Sequence, residues 1–225
     1  MASESAVFTA ETFRFFRELG RNNHKPWMDA NRERYRALVV EPMRVLLDRL
    51  APAARKLNPC FQTSGRVGEN FSRINRDIRF ARDKSPYRTQ MYLFFSEPEG
   101  DAQLYVGISP EAVTSGIRVY GERGSPLTLL GRPRGSENPK WIERQRRRLG
   151  KKYESYWYAT EKGEWVKHPV WPTKPEEWKK LAAWIVRRRF PPAAITRAGF
   201  DREAVKIFRD VYPLFEFTSS PNWKP

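Results

Sequence analysis

Apolar and polar positions change their period along this chain, and the changes mark out its elements. In the first sixth, Phe8, Phe13, Phe16 and Leu19 fall on one helical stripe, with Thr9 as the expected N-cap, Phe8 and Phe13 as a hydrophobic staple, and Gly20 as the stop. A second helical pattern covers residues 31–57 through Tyr35, Leu38, Val39, Val45, Leu46, Leu50 and Leu57. Pro42 and Pro52 interrupt it, and Pro42 either kinks one long helix or opens a second. After residue 88 the period becomes two. Runs at 91–96, 103–109 and 113–120, separated by a Glu-Pro-Glu-Gly-Asp turn and by Pro110 and Glu111, predict an antiparallel meander. Gly107 and Gly116 inside those runs point to a bulge or to close approach of another backbone or a ligand.

Residues 121–138 are rich in glycine and proline, have only Thr128, Leu129 and Leu130 as an apolar nucleus, and form the expected boundary. Asn138, Pro139 and Gly150 then bracket a helix with Trp141, Ile142 and Leu149 inward. Residues 157–171 predict a two-stranded ribbon about Lys162 and Gly163. Thr173 to Glu176 reads as a capping box opening a helix whose stripe is Trp178, Leu181 and Ile185 and whose end is Arg187, Arg188 and Arg189. Asp201 caps a last helix with Val205, Phe208 and Tyr212 inward, and the tail from Ser219 is expected to be loose. The fold class is α+β: an antiparallel sheet of about four or more strands packed by amphipathic helices, with a mixed helix and ribbon C-terminal part. Residues 5–122 make the core, and 123–218 a basic, tryptophan-rich extension packed on it as one globular unit.

The stretch at 70–88, NFSRINRDIRFARDKSPYR, carries the candidate chemistry. If residues 71–80 are extended, Ile74, Ile78 and Phe80 share one face and Arg73, Asn75, Asp77 and Arg79 the other. If they are helical, Phe71, Ile74 and Ile78 form a stripe and Arg73 sits one turn from Asp77. The alternating β-branched isoleucines favour the strand. Ser85 before Pro86 is pushed out of the α region, so residues 83–87 turn in either case. Between residues 66 and 88 seven basic side chains face three acids, and the arginine fork suits two-point contact with phosphate or carboxylate. Arg73, Arg76, Arg79, Lys84 and Arg88 are therefore candidate ligand-binding residues, with Asp77 and Asp83 holding some of them in place. Asn23 joins them from the polar loop at 21–27, where Asn22, Asn23 and His24 either bring donors to a ligand or cap helices and close turns, and where Trp27 enters the core. Two other readings stand beside this one. In an enzyme, a hydrolase or transferase, Asp77 or Asp83 acts as base, Arg73, Arg76 or Lys84 stabilises developing negative charge and Tyr87 donates a proton, although the sequence shows no glycine-rich phosphate loop or nucleophile signature. In a structural or protein-interaction domain, the same charges pair only with one another.

The segment RINRDIRFARDKSPYR, with FRELGRNNHKPWMDANRERY upstream, resembles the family catalogued as domain of unknown function 2461, found in bacteria and fungi, over about residues 8–120. The resemblance implies a shared fold and a site around Arg73, Arg76, Asp77, Arg79, Asp83, Lys84, Pro86 and Tyr87. It implies no chemistry.

Composition narrows the classes. A chain of 225 residues is long enough for a sizeable core without staples, and Cys60, its single cysteine, excludes an intrachain disulfide and agrees with a reducing cytosol. The first residues have no basic leader before an apolar run, and no stretch approaches membrane-spanning length, so the chain reads as cytoplasmic with no membrane partner. With His24, His168 and Cys60 widely separated, neither a metal site nor a cofactor is expected. The formal charge of +16 points to a polyanionic partner, and nucleic acid is one such ligand. Arg144, Arg146, Arg147, Arg148, Lys151 and Lys152 form the densest basic cluster, next to Tyr153, Tyr156, Trp157 and Tyr158. That mixture of cations and rings suits single-stranded nucleic acid, unless the rings fill a core and the arginines only solvate a helix.

Overall fold

The structure, a computed structural model, describes residues 5–121, 131–162, 164–220 and 223–225. The phenylalanine stripe forms α1, Ala10–Arg21, with Phe8 and Phe13 both buried as a staple requires. The helix runs through Gly20 rather than stopping there, because Asn22 closes it: its backbone N–H and its side-chain amide both donate to the Glu18 carbonyl at 3.0 Å. Next come α2 (Lys25–Ala30) and α3 (Arg32–Tyr35), then a π-helical turn at Arg36–Val40 that leads without a break into α4 (Glu41–Leu57). Pro42 thus lies in the first turn of α4 but within one continuous helical path, so its missing N–H leaves a carbonyl one turn earlier without its usual donor. The carbonyl it fails to serve, that of Leu38, accepts from the Thr12 hydroxyl of α1 at 2.8 Å. Val45 points outward, and Met43 and Leu47 take the inward positions beside Leu46 and Leu50.

The meander forms nearly as expected, as β1 (Met91–Phe95), β2 (Ala102–Ile108) and β3 (Val113–Tyr120). Residues 122–130 and Gly163 lie outside the described residues, and with them the first half of the expected boundary, the Thr128–Leu130 nucleus and half of the expected ribbon turn. Beyond them the chain forms α5 (Gly131–Glu137), α6 (Pro139–Leu149), β4 (Glu154–Glu161), β5 (Glu164–His168), α7 (Pro175–Lys180), β6 (Leu181–Phe190) and α8 (Phe200–Ser219). The strands pair antiparallel in the order β1-β2-β3-β6-β4-β5.

Three expectations for this half are corrected. The helix opened by the capping box ends after six residues, and Leu181 begins a strand. Leu181, Ala182, Ala183, Trp184 and Val186 are all buried, on both faces of β6, so a central strand presents the same apolar run that a buried helix would. The capping carboxylate is Glu177, not Glu176, and it accepts from the backbone N–H groups of Thr173 and Lys174 at 2.6 and 3.0 Å. The tail is also held: Trp223 packs edge-on against Trp141 and Phe217, each at 5.0 Å between centroids.

Contacts divide the chain into two compact units. One comprises residues 1–95, 106–114 and 190–205, the other 96–105, 115–189 and 206–225. The core of the first is built on Phe15, Phe16, Leu19, Met28, Met43 and Leu50. In the second, Trp178 meets Trp184 and Phe217 edge-on, Phe217 stacks on Trp141 at 4.6 Å, and the Trp184 indole donates to Ser155 Oγ at 3.1 Å. Of the two readings offered for the strand glycines, close approach holds for Gly116: a Cβ there would lie 2.1 Å from the Val186 carbonyl oxygen of β6. Gly116→Ala should therefore lower stability by about 1–3 kcal/mol or more through overpacking. A urea unfolding midpoint equal to that of the parent would contradict the close seating of β6 on β3.

Candidate functional site

Residues 70–90 form an arm that is extended without being a strand, which corrects the expectation for 71–80. Residues 70–76 run antiparallel to 86–94: the Phe94 N–H donates to the Asn70 carbonyl, that of Ser72 to Tyr92, that of Arg88 to Ile74 and that of Arg76 to Pro86, all at 2.8–3.0 Å. Only isolated bridges arise, Phe71 with Leu93 and Asn75 with Tyr87. Local side chains take over the rest. Ser72 Oγ accepts from the Tyr92 N–H, Asp77 from the Arg79 N–H, and Asp83 from the Ser85 N–H, while the Lys84 ammonium caps the Ile78 and Arg79 carbonyls. The alternation survives in the side chains: Ile74, Arg76 and Ile78 are partly covered, and Arg73, Asn75, Asp77 and Arg79 are exposed. Phe80, expected beside the isoleucines, is 92% exposed because the arm turns there.

Two asparagines anchor the arm. Asn70, fully buried, donates from Nδ2 to the Gln62 and Phe94 carbonyls at 2.8 and 3.0 Å and accepts from the Gly65 N–H at 2.9 Å. Asn23 grips the Tyr87 backbone at both ends, Nδ2 to its carbonyl and its N–H to Oδ1, each at 2.9 Å. Both groups of the Asn23 amide are thus engaged within the protein. Its neighbours also serve structure, Asn22 at the end of α1 and His24 accepting from the Trp27 N–H at the start of α2. Trp27 is half-buried against Phe15 rather than in the core, where Met28 sits instead.

The arm's cations do not converge. Arg76 and Arg88 line a polar cleft of about 530 Å³ together with Asn23, Asp83, Ser85 and Tyr87. Within it Arg76 pairs with Asp83. Arg88 is exposed and has no ion-pair partner among the described residues. Arg73 instead lines a second cleft with Arg32 and Arg44. Arg79 lies outside both, in a two-point pair with Asp77 at 3.0 and 2.8 Å. Two hydrogen bonds in the turn, from the Ser85 N–H and from Arg76, hold the Asp83 carboxyl well below the ordinary range. Tyr87 is buried, with Arg32 and Lys25 as charged neighbours of its ring.

The second basic cluster is divided as well. Arg146 and Arg147 both clasp Glu143, whose carboxyl they hold at about 2, and Arg148 reaches Gln145 and the Asp210 carbonyl. Arg144, Lys151 and Lys152 stay exposed. Of the rings expected beside them, Tyr153 and Trp157 are buried, and Tyr156 is covered by Lys167 and Arg187 at 4.1 and 4.8 Å. The period of β4 separates them, with Tyr156 and Tyr158 on the face opposite Trp157. Among the described residues no group of three or more His, Cys, Asp or Glu side chains is placed to hold a metal, and no helix is long and apolar enough to cross a membrane. Sequence reasoning missed Arg44, which reads as one more charge on a helix, and Asn70, whose role depends on partners at both ends of the arm.

The chain belongs to the family described as conserved hypothetical protein (DUF2461), whose sequence pattern matches residues 11–217. The likeness therefore extends past Tyr120, where it was expected to end, through the tryptophan-rich half. No curated protein matches the chain.

Removing the buried amide in Asn70→Ala should cost about 2–4 kcal/mol, since three backbone groups lose their partner at once, and urea unfolding will read it; a loss near zero would show that the arm is held otherwise. The Asp83 carboxyl, depressed in the folded protein, contributes stability above its ordinary value of about 4 that is lost only as pH falls through the lower folded value. A ¹³C titration should accordingly show Asp83 still ionised where exposed carboxylates have protonated.

Proposed function

We propose that the protein binds a phosphate-bearing anion in the polar cleft of the first unit. The observation that carries this reading is Arg88, an exposed guanidinium at a concave surface with no carboxylate partner among the described residues, set beside Arg76. Asp83 takes up part of the Arg76 charge, so the cleft keeps a net positive charge from its two arginines and one acid. A phosphate entering there meets one uncommitted fork and a second that exchanges partners, and such charge-assisted, two-point contacts are the strong ones. The clamp between Asn23 and Tyr87 holds the wall beside Arg88, which lowers the ordering cost of binding.

The same geometry supports binding over general-base catalysis. Asp77 and Asp83 both take arginine partners, and a carboxyl held below its usual range is a weak base near neutral pH. Arg79 and Lys84, engaged with Asp77 and with backbone carbonyls, favour a structural role for that end of the arm. Nucleic acid is one phosphate-bearing ligand that the overall charge would draw in, with affinity falling steeply as salt is added.

Calorimetric titration with inorganic phosphate, and with a short 5′-phosphorylated oligonucleotide, tests the proposal. Arg88→Ala should weaken phosphate by about 10-fold or more, the equivalent of one charged hydrogen bond, with an unchanged urea midpoint. Asp83→Asn, which releases Arg76, should tighten it. Equal affinity in Arg88→Ala and the parent would refute the assignment.

A further inference from the structure

A second cleft in the first unit differs from the polar one in kind. It encloses about 370 Å³, within the range of small-molecule sites. Its floor is apolar, from Met43, Phe71 and Met91, which are at most 4% exposed, and its rim carries Arg32, Arg44 and Arg73. None of the described residues lining it is acidic. Arg32 keeps Asp29 as its partner, at 2.9 Å, but Arg44 and Arg73 have no ion-pair or hydrogen-bond partner for their guanidinium groups among the described residues.

The backbone explains how this concavity arises. One wall comes from the π-helical turn, with Tyr35 immediately before it, Val40 at its end and Met43 in the helix that follows. Such wide turns recur at functional sites because the extra residue displaces side chains from the regular helical stripe. The facing wall is the arm, where alternation sends Arg73 to this side while Arg76 lines the polar cleft. Tyr35 donates its hydroxyl hydrogen to Met91 Sδ at 3.4 Å, and burial pushes its pKa up to about 12, so this wall stays uncharged at physiological pH.

We infer that this cleft binds an amphiphilic anion, with a carboxylate or phosphate headgroup held by Arg44 and Arg73 and an apolar chain or ring lying on Met43, Phe71 and Met91. An inorganic anion would leave the apolar floor in water, and a neutral apolar molecule would leave two guanidinium groups unmatched. Val67, 57% exposed at the mouth, extends the apolar surface that the body of the ligand covers. The inference does not rest on the polar cleft, which shares none of these residues.

The probe is 8-anilinonaphthalene-1-sulfonate, an apolar ring system with one fixed negative charge, titrated by fluorescence into the full chain at physiological salt. Saturable binding of one equivalent is expected. Arg44→Ala and Arg73→Ala should each weaken it by about 10-fold, the equivalent of one charge-assisted hydrogen bond, and Val67→Asp, which sets a carboxylate at an exposed position of the mouth, should abolish it. These sites are on the surface, so unchanged urea midpoints are expected for all three. Dodecanoate should displace the dye if the body is a chain and naphthyl phosphate if it is a ring, and either result upholds the inference; inorganic phosphate should displace nothing. Unsaturable binding, equal affinity in the arginine variants and the parent, or an equal loss in Arg88→Ala would overturn it.

Discussion

Two asparagine amides set the shape of the arm between residues 70 and 90, and both clefts take a wall from that arm. An extended segment normally draws its rigidity from a ladder of backbone bonds to a neighbour. Here the ladder is reduced to isolated bridges, and Asn23 reproduces a missing rung by offering one donor and one acceptor to the Tyr87 backbone. Asn70 does the same from inside, joining Gln62, Gly65 and Phe94 around a single buried amide. Burying such a group without partners costs more than a paired one returns, so the arrangement is held chiefly by the penalty for leaving it. With its backbone fixed from the side, the arm is spared a regular strand partner, and its arginines line two different clefts.

What the sequence disclosed follows from where the signal is local. The meander and α6 were legible because period two with turn residues, or Asn138, Pro139 and Gly150 about an apolar stripe, are each contained within a dozen positions. β6 was not, since a strand buried on both faces loses its alternation and Trp178, Leu181 and Ile185 happen to fall at helical spacing. In the arm, parity gave the face of the side chains from Arg73 to Arg79 but not of Phe80, where the chain turns, and it did not say whether the backbone would find a partner. Asn23 and Tyr87 are 64 positions apart, and nothing near either one announces the other. Arginines of the candidate set therefore scattered, because their neighbours in sequence are not their neighbours in the cleft.

The net charge of +16 is a weaker guide to a site than it first looks. The figure counts an excess and not the cations that are free: several of the 42 basic side chains are locally paired, Arg146 and Arg147 with Glu143, Lys25 and Arg32 with Asp29, and Arg14 and Arg34 with Glu18. Pairs so exposed contribute little to stability and are screened by salt. Their effect is to occupy cations that would otherwise compete for a ligand. Among the described residues, Arg44, Arg73 and Arg88 each combine a lack of such compensation with a concave surface, a combination that Lys140 and Arg144 share at a cleft along α6.

The π-helical turn ties the first helix to this arrangement. Pro42 has no N–H, so the Leu38 carbonyl one turn earlier needs another donor, and a carbonyl left buried and unpaired would penalise any helix that continued through this point. Thr12, itself buried in α1, supplies the hydroxyl, and the Glu41 N–H reaches back to the Arg36 carbonyl across the widened turn. A proline that would break a regular helix is accommodated by one extra residue and one hydroxyl from a different element. The position of Tyr35 and Val40 in the cleft wall is consequently set by a side chain 26 residues before the carbonyl it serves, which makes Thr12 a positioning residue for a surface it does not line.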